Sequence, residues 1–100
     1  MSKVILITGC SSGFGLLTAA RLSTQNKVYA TMRSLEKKVR LEKLVEEVGG
    51  SITILELDVT KPKTIISVVN TIKEKENKLD ILINNAGYGL GGFFEDLTEQ

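Results

Sequence analysis

One hundred residues, 42% hydrophobic and 25% charged, suit a single globular domain with one core. Thirteen basic and twelve acidic side chains leave a net charge of +1 with the basic residues scattered, so nothing in the charge points to nucleic acid or a membrane surface. The single cysteine, Cys10, excludes an internal disulfide, and without histidine the Ser-His-Asp, Cys-His and zinc-hydrolase chemistries have no residues to run on; no metal is expected.

The chain opens with Val4 to Ile7, a continuous apolar run that reads as a strand buried on both faces. Its four apolar residues fall short of the roughly 7–15 of a secretory signal and the about 20 of a membrane span, so a cytoplasmic protein is expected. A glycine-rich stretch, Thr8 to Gly15, follows. Gly13, Leu16, Leu17 and Ala20 then recur at helical spacing, and Asn26 can stop that helix. Val28 to Met32 reads as a second strand. Leu41, Leu44, Val45 and Val48 predict a second helix, with Glu36 in its first turn and Gly49-Gly50 as its stop.

Ile52 to Leu57 predicts the third strand. Thr60 ahead of Lys61-Pro62 reads as an N-cap with proline in the first turn, and Ile65, Val68, Val69 and Ile72 mark the third helix. The alternating charges of Lys73 to Lys78 read as a solvated helix end. Leu79 to Ile83 predicts a fourth strand, and Glu95 to Gln100 the approach to another helix with Thr98 as its N-cap.

Strand and helix alternate through β-α-β-α-β-α-β. That order calls for parallel strands joined by right-handed crossovers: an α/β, doubly wound (Rossmann) sheet of strand order 3-2-1-4. The sheet is expected to be incomplete at its fourth-strand edge, which is apolar and uncharged, and only the third helix is available for one face. Residues 1–100 are therefore expected to be the N-terminal part of a single dinucleotide-binding domain in a longer enzyme.

In such a sheet ligands bind outside the carboxyl ends of the strands, where the first strand-to-helix turn lies. Gly9 permits a tight exit from the strand, Gly13 leaves room for a pyrophosphate, and Gly15 lets the helix pack close. Ser11, Ser12 and Phe14 complete the turn. Free amides at the helix start favour an anion by roughly 0.3–1 kcal/mol, up to about 2 when partly buried. The spacing G-x-x-x-G-x-G is neither the commoner G-x-G-x-x-G nor a Walker loop. Taken alone, it is a weak signal, since a plain strand-to-helix turn is the alternative.

Thr8-Gly-x-x-x-Gly-x-Gly15, joined with Leu57-Asp58-Val59 and Asn84-Asn85-Ala86-Gly87, resembles the short-chain dehydrogenase/reductase family, over residues 8 to 87. The stretches TGCSSGFG and YATMR are most similar to its hydroxysteroid and retinol dehydrogenase branch and to related bacterial enzymes. The resemblance implies a nicotinamide dinucleotide, with Asp58 and Val59 at the adenine and Asp58 accepting from its amine. Asn84, Ala86 and Gly87 would line the ribose next to nicotinamide, and Asn84 would tie neighbouring strands. It also implies hydride transfer to or from a small-molecule carbonyl or secondary alcohol in a full-length form, for which a homo-oligomer stays open.

The family's general acid/base is a tyrosine with a lysine four residues on, assisted by a serine and an asparagine. Here Tyr88 is followed at that distance by Gly92 and Tyr29 by Arg33, so no catalytic residue is assigned within this chain. The cofactor is read at the end of the second strand. An acid there binds the ribose 2′-hydroxyl of NAD, whereas an arginine accommodates the 2′-phosphate of NADP. Thr31-Met32-Arg33-Ser34 carries no carboxylate, and a guanidinium forks two hydrogen bonds onto a phosphate. With Ser11 adding a hydroxyl, NADP(H) is preferred over NAD(H).

The same lack of an acid disfavours a doubly wound methyltransferase. A non-catalytic dinucleotide-binding or interaction module and an inert truncation product stand as alternatives. Cys10 reads as a small filler of the loop.

Overall fold

The computed structural model describes residues 2–98. Four strands, β1 (Val4–Ile7), β2 (Lys27–Met32), β3 (Ile52–Glu56) and β4 (Ile81–Ile83), alternate with helices α1 (Gly13–Leu22), α2 (Val39–Val48) and α3 (Pro62–Glu76). A 3-10 turn at Gly91–Phe94 leads into the short α4 (Glu95–Thr98). All strand pairs are parallel and the sheet order is β3-β2-β1-β4. Leu6 lies at the centre, beside Tyr29 of β2 and Leu82 of β4. This is the doubly wound Rossmann sheet expected from the alternation.

Continuous apolar runs keep both faces dry at the central strands β1 and β2, while the edge strands β3 and β4 are only partly buried. On one face Val4, Leu6 and Tyr29 meet Ile65, Val68 and Ile72 of α3. On the other Ile5, Ile7 and Val28 meet Leu16, Ala19 and Ala20 of α1 and Leu41 and Val45 of α2. Successive β1 side chains thus enter opposite layers, as strand geometry requires.

Several local expectations are corrected. The α3 face carries a second cover: Leu90, just ahead of the 3-10 turn, Phe94 at its end and Leu97 of α4 complete that core layer. Thr98 lies within α4 rather than ahead of a helix as its N-cap, while Glu99 and Gln100 lie outside the described residues. Leu79 precedes β4 instead of belonging to it, because its N–H goes to the Leu97 carbonyl (3.0 Å) rather than to the sheet. Leu57 likewise falls just outside β3.

Leu17 is 57% exposed; the buried stripe of α1 is Gly15, Leu16, Ala19 and Ala20. Val48 is also exposed, at the end of α2. Glu36 sits in a 3-10 turn (Leu35–Lys37), ahead of α2 rather than in its first turn.

Helix ends also differ from expectation. Lys61 occupies the N-cap of α3 with Pro62 next, while Thr60 turns its hydroxyl to Asp58. Helix α1 stops at Leu22, and Asn26 closes that end from outside by donating its Nδ2 to the Leu22 carbonyl (3.1 Å). Gly49 ends α2 in the left-handed region at φ 76°, as its type predicts, and Asn77 does the same for α3 at φ 57°.

Candidate functional site

β1 delivers its chain to the carboxyl edge of the sheet, and Thr8 is the first residue off it. The Thr8 N–H donates to the Ile83 carbonyl and the Cys10 N–H to the Thr31 carbonyl, both at 3.0 Å, which pins the turn between β4 and β2. Gly9 makes the turn at φ 68°, in the region that favours glycine. The Thr8 hydroxyl donates to Asn84 Oδ1 (3.0 Å) and accepts from the Ala86 N–H (3.0 Å). Asn84 therefore does tie adjacent strand ends together, through Thr8.

Asn85 donates from Nδ2 to the Gly9 carbonyl at 3.1 Å. Gly15 comes so close beneath that a Cβ added to it would lie 2.2 Å from the Gly9 carbonyl oxygen and 2.7 Å from Asn85 Nδ2. At Gly13, φ is 58° and an added Cβ would meet nothing within 4 Å, so the backbone at the start of α1 is bare. Ser12 is the N-cap of α1 and its hydroxyl makes no capping bond. Phe14 projects outward, 72% exposed. Asn84 Nδ2 donates to the Tyr88 carbonyl, and the Gly87 N–H closes a turn on the Asn84 carbonyl (3.2 Å) with Gly87 at φ 79°.

The opposite wall comes from the ends of β2 and β3. Asp58 is 6% exposed, and its Oδ1 accepts from both the hydroxyl (2.7 Å) and the N–H (2.9 Å) of Thr60. Its Oδ2 stands 4.0 Å from Arg33 Nε. The two Thr60 bonds, aided by the Arg33 and Lys61 charges against the cost of burial, hold this carboxyl below the usual carboxylate range. Thr64 fixes the same backbone: its hydroxyl accepts from the Asp58 N–H at 2.9 Å.

Between the walls lies a cleft of ≈ 750 Å³, a volume typical of small-molecule and cofactor sites. Of the residues singled out in the sequence, Gly9, Ser11, Arg33, Asp58 and Ala86 line it. Ser11 and Ser12 also line a smaller cavity of ≈ 320 Å³ alongside. Gly13, Phe14, Gly15, Val59, Asn84 and Gly87 lie outside the lining of the cleft; Gly15 supports it from below, and Val59 packs on the α3-side core.

The sequence reading missed Thr8 and Asn85 as organisers, and Lys37, Glu56 and Lys61 as lining residues. A threonine at a strand end and a doubled asparagine were the available signals. Cys10 is fully buried, donates to the Ile7 carbonyl (3.3 Å), and has its thiol pushed up to about 12 by that burial. It is therefore a filler in fact, with no thiolate to offer. Tyr29 lies away from the cleft, its hydroxyl on Glu76 Oε2 at 2.6 Å; burial and that carboxylate raise its pKa. Among the described residues no helix is long and apolar enough to cross a membrane, and no group of three His, Cys, Asp or Glu side chains is placed to hold a metal.

A family model described as short chain dehydrogenase matches residues 3–100. An uncharacterized oxidoreductase, YusZ, of Bacillus subtilis (strain 168) is 42% identical over 98% of this chain and 35% of its own length. The 17-beta-hydroxysteroid dehydrogenase type 1 of Homo sapiens is 41% identical, over 97% of this chain and 31% of its own. The crystal structure of an actinorhodin polyketide ketoreductase variant with NADPH superposes with a TM-score of 0.76 at 33% identity, covering 87% of this chain and 34% of that one. The chain thus spans about a third of the length of these relatives.

Proposed function

The chain belongs to the short-chain dehydrogenase family, and from that premise we propose that it is the NADP(H)-binding portion of an oxidoreductase acting on a carbonyl or a secondary alcohol. When bound, the nicotinamide supplies or accepts the hydride. The residues present fit such a group: the backbone at Gly13 is bare, with nothing within 4 Å of where a Cβ would stand, and the Ser12 hydroxyl is not spent on capping.

Each site residue then has a task. The amides around Gly13 and the Ser11 and Ser12 hydroxyls receive the pyrophosphate, favoured by the positive end of α1. Phe14 stands at the exposed rim of that helix, beside the loop. Asp58 keeps Oδ2 free of Thr60 and so retains an acceptor for the adenine amine, with Val59 beside it. Asn84, Ala86 and Gly87 shape the wall beside the nicotinamide ribose. We assign no catalytic group within residues 1–100, since neither Tyr29 nor Tyr88 has a lysine four residues on. The hydroxysteroid dehydrogenase among the relatives makes a hydrophobic secondary alcohol or ketone the first substrate class to try.

The observation that carries the cofactor choice is Arg33, which lines the cleft at the end of β2 with no carboxylate among Thr31, Met32 and Ser34. That a similar ketoreductase structure contains NADPH supports the same choice. The test is calorimetric titration of NADPH and NADH into protein expressed from its complete reading frame. Arg33→Ala is expected to weaken NADPH by about 1–3 kcal/mol, roughly fivefold to 150-fold, and to leave NADH nearly unchanged. Equal affinity of the unaltered protein for both cofactors overturns the assignment.

A further inference from the structure

A monoester phosphate carries close to two negative charges at neutral pH, whereas one arginine supplies a single positive one. In this cleft Arg33 is also partly answered already, by Asp58 at 4.0 Å. Lys61, the other ion-paired cation of the lining, stands 3.9 Å from Glu56. Lys37 differs. It belongs to the 3-10 turn that follows β2, lines both the cleft and the smaller adjoining cavity, and enters no ion pair among the described residues.

The two cavities share three lining residues: Ser11, Glu36 and Lys37. Ser11 brings a hydroxyl from the glycine loop, and Lys37 an ammonium from the facing turn. Arg40, from the first turn of α2, lines the smaller cavity too, so its cations outnumber its one carboxylate, Glu36.

We propose that Lys37 is a second phosphate-selecting residue: its ammonium faces the 2′-phosphate of the bound dinucleotide across from Ser11, and supplies the positive charge that Arg33 alone leaves short. This rests on the NADP(H) reading above. Lys37 acts by charge, as a flexible point donor, where Arg33 acts by its planar fork. Its neighbour Lys38 is the internal control, because it pairs with Glu42 at 4.0 Å and lines neither cavity.

The experiment titrates NADPH and NADH into the protein from its complete reading frame, with Lys37→Ala, Lys37→Gln, Lys38→Ala and Arg33→Ala beside it. Both Lys37 substitutions are expected to weaken NADPH about three- to tenfold, to leave NADH unchanged, and to flatten the salt dependence of NADPH binding. Lys38→Ala is expected to match the unaltered protein for both cofactors.

If Arg33→Ala loses NADPH selectivity while the Lys37 variants bind like wild type, the Lys37 role is wrong and the cofactor reading survives. If Lys37 and Lys38 substitutions weaken NADPH equally, the effect is diffuse charge and the role is again wrong. A protein without preference for NADPH defeats both readings together.

Discussion

Gly15 has no room for a side chain, and the obstacle is backbone: the Gly9 carbonyl would sit 2.2 Å from its Cβ. Gly13 has ample room and an unfavourable torsion instead, φ 58°. The two substitutions therefore cost different things. Gly15→Ala must displace α1 from the turn, an overpacking penalty of about 1–3 kcal/mol or more. Gly13→Ala meets only the left-handed backbone cost of roughly 1–2 kcal/mol. Urea unfolding is expected to rank Gly15→Ala as the more destabilising, and the reverse order would mean that the helix does not rest on Gly9.

The glycine spacing announced this turn but not its partner. Asn85 meets Gly9 across 76 positions of sequence, a contact that exists only once β4 lies beside β1. No local pattern encodes that meeting. The same holds for Thr60. It reads as a cap because it precedes Lys61-Pro62, yet its hydroxyl is better used by the nearly buried Asp58 carboxylate.

Elements were readable where burial dictates composition. β1 and most of β2 read as apolar runs because both faces are covered there, while the edge strands β3 and β4 stay partly exposed, and the α3 stripe of Ile65, Val68 and Ile72 follows the helical period. Their ends were less readable, since closure rather than propensity sets them. Asn77 is one such end, the sole non-glycine residue at positive φ among the described residues, where it stops α3 in the left-handed region. Asparagine tolerates that conformation, glycine accepts it freely, and alanine resists it. Asn77→Ala is accordingly expected to cost about 1 kcal/mol, and Asn77→Gly to stay within about 0.5 kcal/mol of wild type, by thermal unfolding. Equal losses for the two would show that the Asn77 side chain, not its torsion, matters. The second cover of the α3 face escaped the sequence reading for a related reason. Leu90, Phe94 and Leu97 come from a glycine-rich stretch and one short turn of helix, too brief to display a period.

Over the whole molecule, strand order followed from alternation and the handedness of crossovers, which leave few topologies to consider. The starts of β1 and β4 meet at Asp80. The Asp80 N–H donates to the Val4 carbonyl (2.9 Å), the Val4 N–H donates to Asp80 Oδ2 (2.8 Å), and Lys78 Nζ stands 3.4 Å from that oxygen. The Val4 bond, with Lys78 in support, lowers the Asp80 carboxyl below its ordinary 3.8. A depressed carboxyl contributes stability above its unfolded pKa and loses it as pH falls through the folded one. Asp80→Asn is therefore expected to lower the urea midpoint at pH 7, and the gap to wild type is expected to close as pH falls below 3.8. A gap that persists at low pH would assign the loss to packing rather than charge.

Thr8 has a consequence of the same reach. A single hydroxyl has one proton to give, and here it goes to Asn84 while a lone pair serves the Ala86 N–H, 78 residues away. The glycine turn and the loop after β4 therefore share a rivet. Loosening either one strips the other of a hydrogen-bond partner, so the two loops are expected to lose their order together, which hydrogen exchange of the Ala86 amide would read. On the proposed reading, a pyrophosphate held by the glycine turn is expected to steady the loop after β4 through Thr8, without touching it.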